Sequence, residues 1–271
     1  MRQALLVRPQ WHDSPTAISR DLRVIAAPVQ RLEPCSVEES VASTVTQANS
    51  PWLVFTSPAS VQAFVRWTAT QSIALARDSG VRVATVGSGT RDELSRAIQD
   101  HATDAHGAWA LSLDNAISSA SDEKADAMAL LAALDSEHHR APYAWSAQTM
   151  LVIQATDNRP VLSQGLRERG ATVIDAALYR RVDIDWTADV WARIAQYPWS
   201  DSGVIVTSST VIDRILTMMR AHQIRVEDIV WCTQHATIAQ RLQAAGIARV
   251  RRVRLDHEHL VSDLFDHEYH W

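Results

Sequence analysis

The segment LVFTSPASVQAF, from Leu53 to Phe64, contains a short apolar run, a small polar turn and an amphipathic stretch. The segment VIVTSSTVIDRI, from Val204 to Ile215, repeats the same order in the second half of the chain. This pattern predicts a strand whose carboxyl end leads into the N-terminus of a helix. Two such units in one chain predict two similar lobes that face one ligand.

Each half of the chain contains a second unit of the same kind. Val83 to Leu94 reads VATVGSGTRDEL, and Cys232 to Leu242 reads CTQHATIAQRL. Strand and helix patterns alternate along almost the whole chain, which favours parallel sheets covered by helices on both faces. The predicted fold class is therefore α/β.

The individual elements follow from the same periodicities. Strands are predicted at Ala4–Arg8, Val24–Val29, Leu53–Thr56, Val83–Val86, Met150–Gln154, Val173–Val182, Val204–Thr207, Ile229–Cys232 and Arg249–Arg254, with a further buried strand near Trp109–Leu113. Helices are predicted at Ser60–Thr70, Arg91–Asp100, Asp122–Leu134, Pro160–Arg169, Ala188–Ala195, Val211–His222, Thr237–Ala245 and His259–Asp266.

Two interruptions indicate where the lobes divide. Leu32-Glu33-Pro34 breaks the pattern after the second strand, and the run ALYRRVD at 177–183 ends an apolar strand in charged residues. If the chain crosses between lobes at both places, each lobe receives about the same number of strands. We therefore expect one lobe from residues 1–34 and 183–271, a second from 38–177, and linker strands at 35–37 and 178–182.

Composition excludes several classes of protein. The chain has 26 Lys and Arg against 31 Asp and Glu, a net charge of −5, which disfavours bulk nucleic-acid binding. Two cysteines are too few for a disulfide framework and favour a reducing compartment. No signal peptide or membrane span is expected, so the interpretation is a soluble, cytoplasmic protein. His257, His259, His267 and His270 have no recognised metal-site spacing, and no metal site is predicted.

The turns after the strands contain the candidate binding residues. Ser57 is placed as a helix N-cap with Pro58 as the first helical residue, and Thr207-Ser208-Ser209 repeats this arrangement without the proline. The free N–H groups and dipole of such a helix end attract anions. Capping alone also explains these serines, and the residues leave both interpretations open.

Three further positions have chemistry suited to a site. The turn Gly87-Ser88-Gly89-Thr90 allows close approach of a ligand, but it is neither a Walker loop nor a complete Rossmann fingerprint. Tyr179, flanked by arginines in the second crossover, is either a proton or hydrogen-bond donor or a strand tyrosine that packs the hinge. Arg8 follows the first strand at its carboxyl end.

Taken in order, these motifs resemble one family. They are RP near the N-terminus, FTSPASVQAF, VGSGT, LSQGLRERGATVIDAALYRRV at 162–182, VTSS and TIAQRLQAAG. This order and spacing is similar to that of the uroporphyrinogen-III synthase family and covers essentially the whole chain. The resemblance implies two flavodoxin-like lobes, one inserted into the other, joined by a two-stranded linker.

The resemblance also implies an activity. The family converts the linear tetrapyrrole hydroxymethylbilane into uroporphyrinogen III, losing water and inverting ring D, without a metal or organic cofactor. By resemblance Tyr179 is the acid or hydrogen-bond donor and Thr90 is the threonine of the VGxxT turn. The substrate-binding residues implied are Arg8, Thr56, Ser57, Gly87, Ser88, Arg159, Ser208 and Thr237. The family further implies a monomer, with transient contact with hydroxymethylbilane synthase.

The chain departs from the family pattern at two turns. In the second VGxxT-like turn, Ile238 falls where threonine is frequent, Thr237 is one place off, and His235 replaces glycine. An expected Arg-Gly turn is replaced by Ala155-Thr156-Asp157-Asn158, although Arg159 remains. An alternative is therefore a catalytically weak two-lobed protein that binds a tetrapyrrole or another polyanion. A Rossmann-type dehydrogenase is disfavoured because its glycine fingerprint is missing.

Overall fold

The computed structural model describes residues 3–11, 23–47, 51–73, 75, 80–102, 111–119, 126–140, 144–196, 199 and 202–254. The chain divides into two compact units. Unit 1 consists of Met1–Glu33 and Arg181–Trp271, and unit 2 is the intervening segment Pro34–Arg180. Unit 1 is thus assembled from two stretches of sequence, and the chain passes between the units twice.

Strands and helices alternate in both units. The strands are β1 (Gln3–Val7), β2 (Pro9–Gln10), β3 (Arg23–Ala26), β4 (Gln30–Pro34), β5 (Trp52–Phe55), β6 (Arg82–Thr85), β7 (Ile117–Ser118), β8 (Thr149–Ala155), β9 (Thr172–Asp183), β10 (Ser202–Val206), β11 (Val230–Thr233) and β12 (Val250–Arg252). The α-helices are α1 (Glu39–Gln47), α2 (Pro58–Gln71), α3 (Ser88–Ala102), α4 (Ala127–Arg140), α5 (Val161–Glu168), α6 (Ala188–Ala195), α7 (Ile212–Ala221) and α8 (Ala236–Ala244).

Unit 1 is built on a five-stranded sheet with the order β12-β11-β10-β1-β3, and all its pairings are parallel. Counted along the chain, this is the flavodoxin order 2-1-3-4-5, whose switch point lies between the first and third strands. Here those strands are β1 and β10, which end level because Val7 pairs with Val206. The strand predicted at Arg249–Arg254 is confirmed as β12, which lies at one edge of this sheet.

The core of unit 1 forms where helices cover this sheet. Ile194 of α6, Ile215 of α7 and Leu242 of α8 are buried together with Val204 and Trp231 of the strands. The Trp231 indole N–H is satisfied inside this core, because it donates to the Val226 carbonyl at 2.9 Å. Burial of both the sheet and the helix faces explains why these strands are almost continuously apolar.

Unit 2 contains the strands β7-β6-β5-β8-β9 in that spatial order, with parallel pairings throughout. Counted along the chain this is 3-2-1-4-5, the other doubly wound order, and its switch point lies between β5 and β8. All four residues of β5 are buried. Phe55 pairs with Thr85 on one side and with Ile153 on the other, so β5 and β6 end at one level and β8 continues to Ala155.

The same sheet continues beyond β9 through β4 to β2. The amide N–H of Cys35 donates to the Leu178 carbonyl, and that of Ile184 donates to the Val29 carbonyl. Residue numbers rise along β4 as they fall along β9, so this pair is antiparallel. These are the two strands along which the chain passes between the units.

Two predicted elements differ from the structure. The first linker strand is Gln30–Pro34, whereas residues 35–37, expected to form it, have no strand conformation. Pro34 lacks an N–H and was interpreted as a break, but at the last position of a strand the missing donor is tolerated. The second linker strand, expected at 178–182, lies within the longer β9.

The second difference is at the edge of unit 2. Of the strand expected near Trp109–Leu113, the described residues 111–113 are irregular, and the edge strand is β7. Leu111 is buried without joining the sheet. The apolar sequence around it therefore reflects packing in the core and not pairing with a strand. The predicted helix His259–Asp266 and the C-terminal histidines lie outside the described residues.

An ion pair joins α4 to α5 on the surface of unit 2. The Arg169 guanidinium donates to both carboxylate oxygens of Asp135, from Nε at 2.7 Å and from Nη2 at 2.5 Å. Its third nitrogen donates to the Gly165 carbonyl at 2.8 Å. The hydrogen bonds from Arg169 hold the pKa of Asp135 below its ordinary value of 3.8, against a smaller opposing effect of burial.

We expect Asp135→Asn to destabilise the protein by about 1 kcal/mol at pH 7, the upper range for a partly exposed, bidentate pair. A carboxylate with a lowered folded-state pKa contributes stability above its unfolded pKa, and the contribution is lost as pH falls through the folded value. The difference between the two proteins should therefore shrink below about pH 4. Urea unfolding of both proteins at pH 7 and pH 3 measures this difference in the free energy of unfolding.

Asp114→Asn is the matched control, because the exposed Asp114 carboxylate accepts from the Ser112 hydroxyl and has no cationic partner among the described residues. It should change stability little at either pH. An Asp135→Asn deficit of equal size at pH 7 and pH 3 would contradict the electrostatic origin and point to lost packing.

Candidate functional site

Ser57 begins the turn at the carboxyl end of β5. It is the N-cap of α2, its side chain accepts the Ser60 N–H at 3.1 Å, and Pro58 is the first helical residue. The Ser60 hydroxyl oxygen in turn accepts the Ser57 N–H at 3.1 Å, which completes a capping box. The predicted cap is confirmed, and Ser57 is held in one orientation.

The same box limits how this helix end binds an anion. The N–H groups of Ser57 and Ser60 are occupied by each other's side chains, and Pro58 has none. In the first turn that leaves the Ala59 N–H as the donor that no described group occupies. Backbone anion binding is therefore narrower here than a helix N-terminus suggests, and the hydroxyl of Ser57 becomes the more prominent polar group.

Tyr179 brings a second hydroxyl to this turn. Its oxygen lies 3.1 Å from Ser57 Oγ, and its side chain is fully buried. The residue is on β9, where the pairing with β8 shifts register at Gln154 and Ala155 so that Ala155 faces Tyr179. The Tyr179 carbonyl also accepts the Thr156 N–H at 2.9 Å. The structure thus places the predicted acid beside the switch point of unit 2.

The side chain of Asn158 links the turn after β8 to the residue that follows β5. Asn158 Nδ2 donates to Thr56 Oγ1 at 3.3 Å, and Thr56 Oγ1 donates to the Ile153 carbonyl at 3.0 Å. The Asn158 N–H donates to the Ala155 carbonyl at 3.2 Å, which shapes the turn. Asn158 belongs to the sequence that replaces the family's Arg-Gly turn, and sequence reasoning did not select it.

This contact continues into the polar side of unit 2. Gln154 Nε2 donates to Asp175 Oδ1 at 2.8 Å, and the same carboxylate accepts from the Ser163 hydroxyl and from Arg167 Nη2. Asn158 Nδ2 also approaches Gln154 Oε1 at 3.5 Å. Gln154 and Ser163 are buried, so these hydrogen bonds hold the carboxyl end of β8 against β9 and α5. Its members lie on two strands and a helix, so no local motif reveals them.

In the predicted Gly87–Thr90 turn, the Gly87 N–H and the Thr90 hydroxyl are both hydrogen-bonded within the protein. Gly87 adopts φ 78°, and its N–H donates to the Ser119 hydroxyl at 2.8 Å. Thr90 is 2% exposed, and its hydroxyl donates to the Val86 carbonyl at 2.6 Å. Ser88, at the start of α3, is exposed. The structure therefore leaves Ser88 as the group of this turn that faces outward.

In unit 1, Arg8 and Ser208 follow β1 and β10 at the switch point. Arg8 is half-buried, and Ser208 Oγ accepts the Thr210 N–H at 3.4 Å in a short 3-10 turn. Thr210 Oγ1 donates to Gln30 Oε1 at 3.0 Å, and Gln30 Nε2 donates to Asp183 at 3.0 Å. This turn is not a copy of the Ser57 turn, because a 3-10 turn precedes α7.

The altered turn after β11 has no side-chain cap. His235 is the N-cap of α8 without a side-chain hydrogen bond to the helix. Thr237 lies in the first turn and is exposed, whereas Ile238 is buried. Thus the residue that falls at the family's threonine position packs into the core, and the neighbouring hydroxyl faces outward.

Two arginines flank the end of β5. Arg159 follows β8 and Arg91 follows β6. Each lies equally far along the chain from the residue of its strand that pairs with Phe55, Ile153 in β8 and Thr85 in β6. Both side chains are exposed, and neither forms an ion pair with any described residue. Arg91 was not selected from the sequence, because its position beside β5 depends on the strand order.

These features stand in a chain whose sequence matches a known family. A model of the family described as uroporphyrinogen-III synthase HemD matches residues 14–262. The chain belongs to this family. As a uroporphyrinogen-III synthase family member, it is a cyclising lyase whose substrate is a tetrapyrrole. The resemblance drawn from the sequence motifs is confirmed.

Solved structures agree with this fold. The chain is similar to uroporphyrinogen-III synthetase from Helicobacter pylori 26695, with 13% identity and a TM-score of 0.50 over 93% of this chain and 92% of that one. It is also similar to a mutant uroporphyrinogen III synthase from the extremely thermophilic bacterium Thermus thermophilus, with 14% identity and a TM-score of 0.52 over 97% and 96%. No protein of curated function matches the sequence.

None of the described helices is both long and apolar enough to cross a lipid bilayer. Within the same residues, no group of three or more His, Cys, Asp and Glu side chains is arranged to hold a metal ion.

Proposed function

We propose that this chain converts hydroxymethylbilane into uroporphyrinogen III, with loss of water and inversion of ring D, at the turns of its switch points. The observation that carries the proposal is the hydrogen bond between Ser57 and Tyr179 at the carboxyl edge of unit 2. It joins two hydroxyl groups at the place where doubly wound proteins bind ligands. The reaction starts with loss of a hydroxyl from the substrate, and a hydroxyl group of the protein can donate a proton to that departing oxygen.

Tyr179 supplies the proton in this mechanism. Loss of the hydroxyl from the carbon attached to ring A leaves a conjugated, electron-poor azafulvene. A proton donor near that oxygen lowers the barrier, because water leaves more readily than hydroxide. Ring inversion then depends on shape: the substituted carbon of ring D must attack first, through a spiro intermediate. Thr90 acts on that shape by fixing the turn before α3 through its bond to Val86.

The substrate's eight carboxylates are recognised by cations and outward-facing polar groups. In unit 2 these are Arg159, Arg91, Ser88 and the Thr56 turn, and in unit 1 they are Arg8, Ser208 and Thr237. Arg159 and Arg91 follow β8 and β6, the two strands on either side of β5, and these two strands are about 9.6 Å apart because each is one strand spacing from β5. Cations that follow different strands suit carboxylates carried by different pyrrole rings.

The remaining expectations are proposals of the same kind. Units 1 and 2 correspond to the two lobes implied by the family. The protein works as a monomer in the cytoplasm, where a reducing environment keeps the thiols of Cys35 and Cys232 free. It receives hydroxymethylbilane by transient contact with hydroxymethylbilane synthase, because the free substrate closes spontaneously.

The deciding experiment supplies hydroxymethylbilane to the purified protein and resolves the cyclic products by chromatography. Enzymatic closure with inversion gives the III isomer, and spontaneous closure gives the unrotated I isomer. We expect the III isomer to predominate. Formation of the I isomer alone would overturn the proposal and favour a protein that binds tetrapyrroles or other polyanions without turnover.

Tyr179→Phe is expected to lower kcat by about a hundredfold, within the range for losing a positioned acid. The loss should be incomplete, because the azafulvene also forms slowly without a proton donor. The ring stays in place, so thermal unfolding should be close to that of the unchanged protein. Turnover equal to wild type would remove the role assigned to this hydroxyl and leave the fold intact.

Arg159→Gln and Arg91→Gln are each expected to raise KM roughly fivefold with kcat within about twofold, since each removes one exposed, charge-assisted contact. Arg193→Gln is the matched control: Arg193 is exposed on α6 and forms no ion pair with a described residue. High salt should reduce the difference between the variants and wild type. Equal KM values in all three variants would contradict carboxylate binding at these positions.

A further inference from the structure

We propose that Ser57 is the catalytic residue that contacts the departing hydroxyl, and that Tyr179 delivers its proton through Ser57 rather than directly. The inference deepens the proposed function and rests on it. It assigns Ser57 more than capping and carboxylate binding, and it makes the two hydroxyl groups one proton-transfer unit.

Ser57 is the more accessible of the two hydroxyl groups. Tyr179 is 0% exposed, whereas Ser57 is half-buried at the mouth of the turn. A phenol that is fully enclosed reaches a bulky tetrapyrrole only through a neighbour. Ser57 Oγ, 3.1 Å away, is that neighbour.

The hydrogen bonds around Ser57 set the direction in which its own proton points. Ser57 Oγ accepts the Ser60 N–H, which uses one of its two lone pairs. A phenol is a far stronger acid than an aliphatic hydroxyl, so Tyr179 is the better donor in their shared bond. With both lone pairs of Ser57 occupied, its own proton points to neither partner. That proton is the one available to a substrate oxygen.

The capping box also fixes the orientation of the Ser57 hydroxyl. It ties Ser57 to Ser60 in both directions, so the donor is aimed before substrate binds. The corresponding serine of unit 1, Ser208, shares its hydrogen bond with the exposed Thr210 hydroxyl rather than with a tyrosine. Only the Ser57 turn therefore combines, among the turns described above, an outward hydroxyl with a buried acid behind it.

Atoms and electrons balance in this transfer. The C–O bond breaks, its electron pair leaves with the oxygen, and that oxygen takes the Ser57 proton to become water. Ser57 takes the Tyr179 proton at the same time, which leaves a tyrosinate. The pyrrole nitrogen lone pair compensates the carbon, giving the protonated azafulvene. After ring D attacks, the proton lost from the cyclic product returns to Tyr179 through Ser57, and water is the sole by-product.

The test compares three substitutions of Ser57. Glycine caps a helix almost as well as serine and alanine caps it poorly. If capping were the only role, Ser57→Gly would have near-normal kcat and Ser57→Ala a larger defect. With a relay, both variants lose the hydroxyl, and we expect both to lower kcat by about a hundredfold, as in Tyr179→Phe. Ser57→Thr keeps the hydroxyl and should recover most of the rate.

A double variant and an isotope measurement sharpen the result. Ser57→Gly combined with Tyr179→Phe should be no slower than either single variant, because both remove the same unit. A plot of wild-type kcat against the deuterium fraction in mixtures of H₂O and D₂O should be curved and not linear, as expected when two protons move in the transition state. Thr187→Ala, which removes the α6 cap bond to Val190, should leave kcat unchanged.

Ser57→Gly within about twofold of wild-type kcat, or a double variant whose defect is the product of the two single defects, would overturn the relay. These outcomes are distinct from failure of the proposed function. In that case wild type itself would form only the I isomer, whereas a failed relay leaves wild type producing the III isomer.

Discussion

The parallel pairing of β5 with β8 is the constraint on which the unit 2 site depends. Phe55 and Ile153 are paired in a parallel register, so both strands end at the same edge of the sheet. The connections that follow lead to different parts of the sheet, and a crevice forms where they separate. Ser57, Asn158 and Tyr179 meet at that edge because strand order and register place them there.

The rigidity of this sheet allows hydroxyl groups, which are weak acids, to act as catalytic groups. The residues of β5 and most of β8 are buried, so the strand ends move little relative to each other. Asn158 and Gln154 extend this rigidity to the turn through side-chain hydrogen bonds. Hydroxyl groups are poor catalysts when free, and they become effective when their partners are fixed before substrate arrives.

Local patterns in the sequence were sufficient for most of the fold. The cap at Ser57, the helix Ala188–Ala195 and the buried central strands follow from short-range signals, and the structure confirms them. Features that depend on tertiary contacts were missed: Arg91 and Asn158 gain importance from strand order, and the linker strand ends at Pro34 rather than starting after it. Nothing local shows that the Thr90 hydroxyl donates to the Val86 carbonyl.

The capping box at Ser57 has a consequence for how the two repeated turns can differ. It occupies two backbone donors that an open helix N-terminus would offer to an anion, and it orients a single hydroxyl. The Ser208 turn is a short 3-10 turn instead, and its serine hydroxyl shares a hydrogen bond with Thr210. Duplicated segments that perform different tasks no longer need to remain alike. A difference between the two halves of this chain is therefore not in itself a sign of lost function.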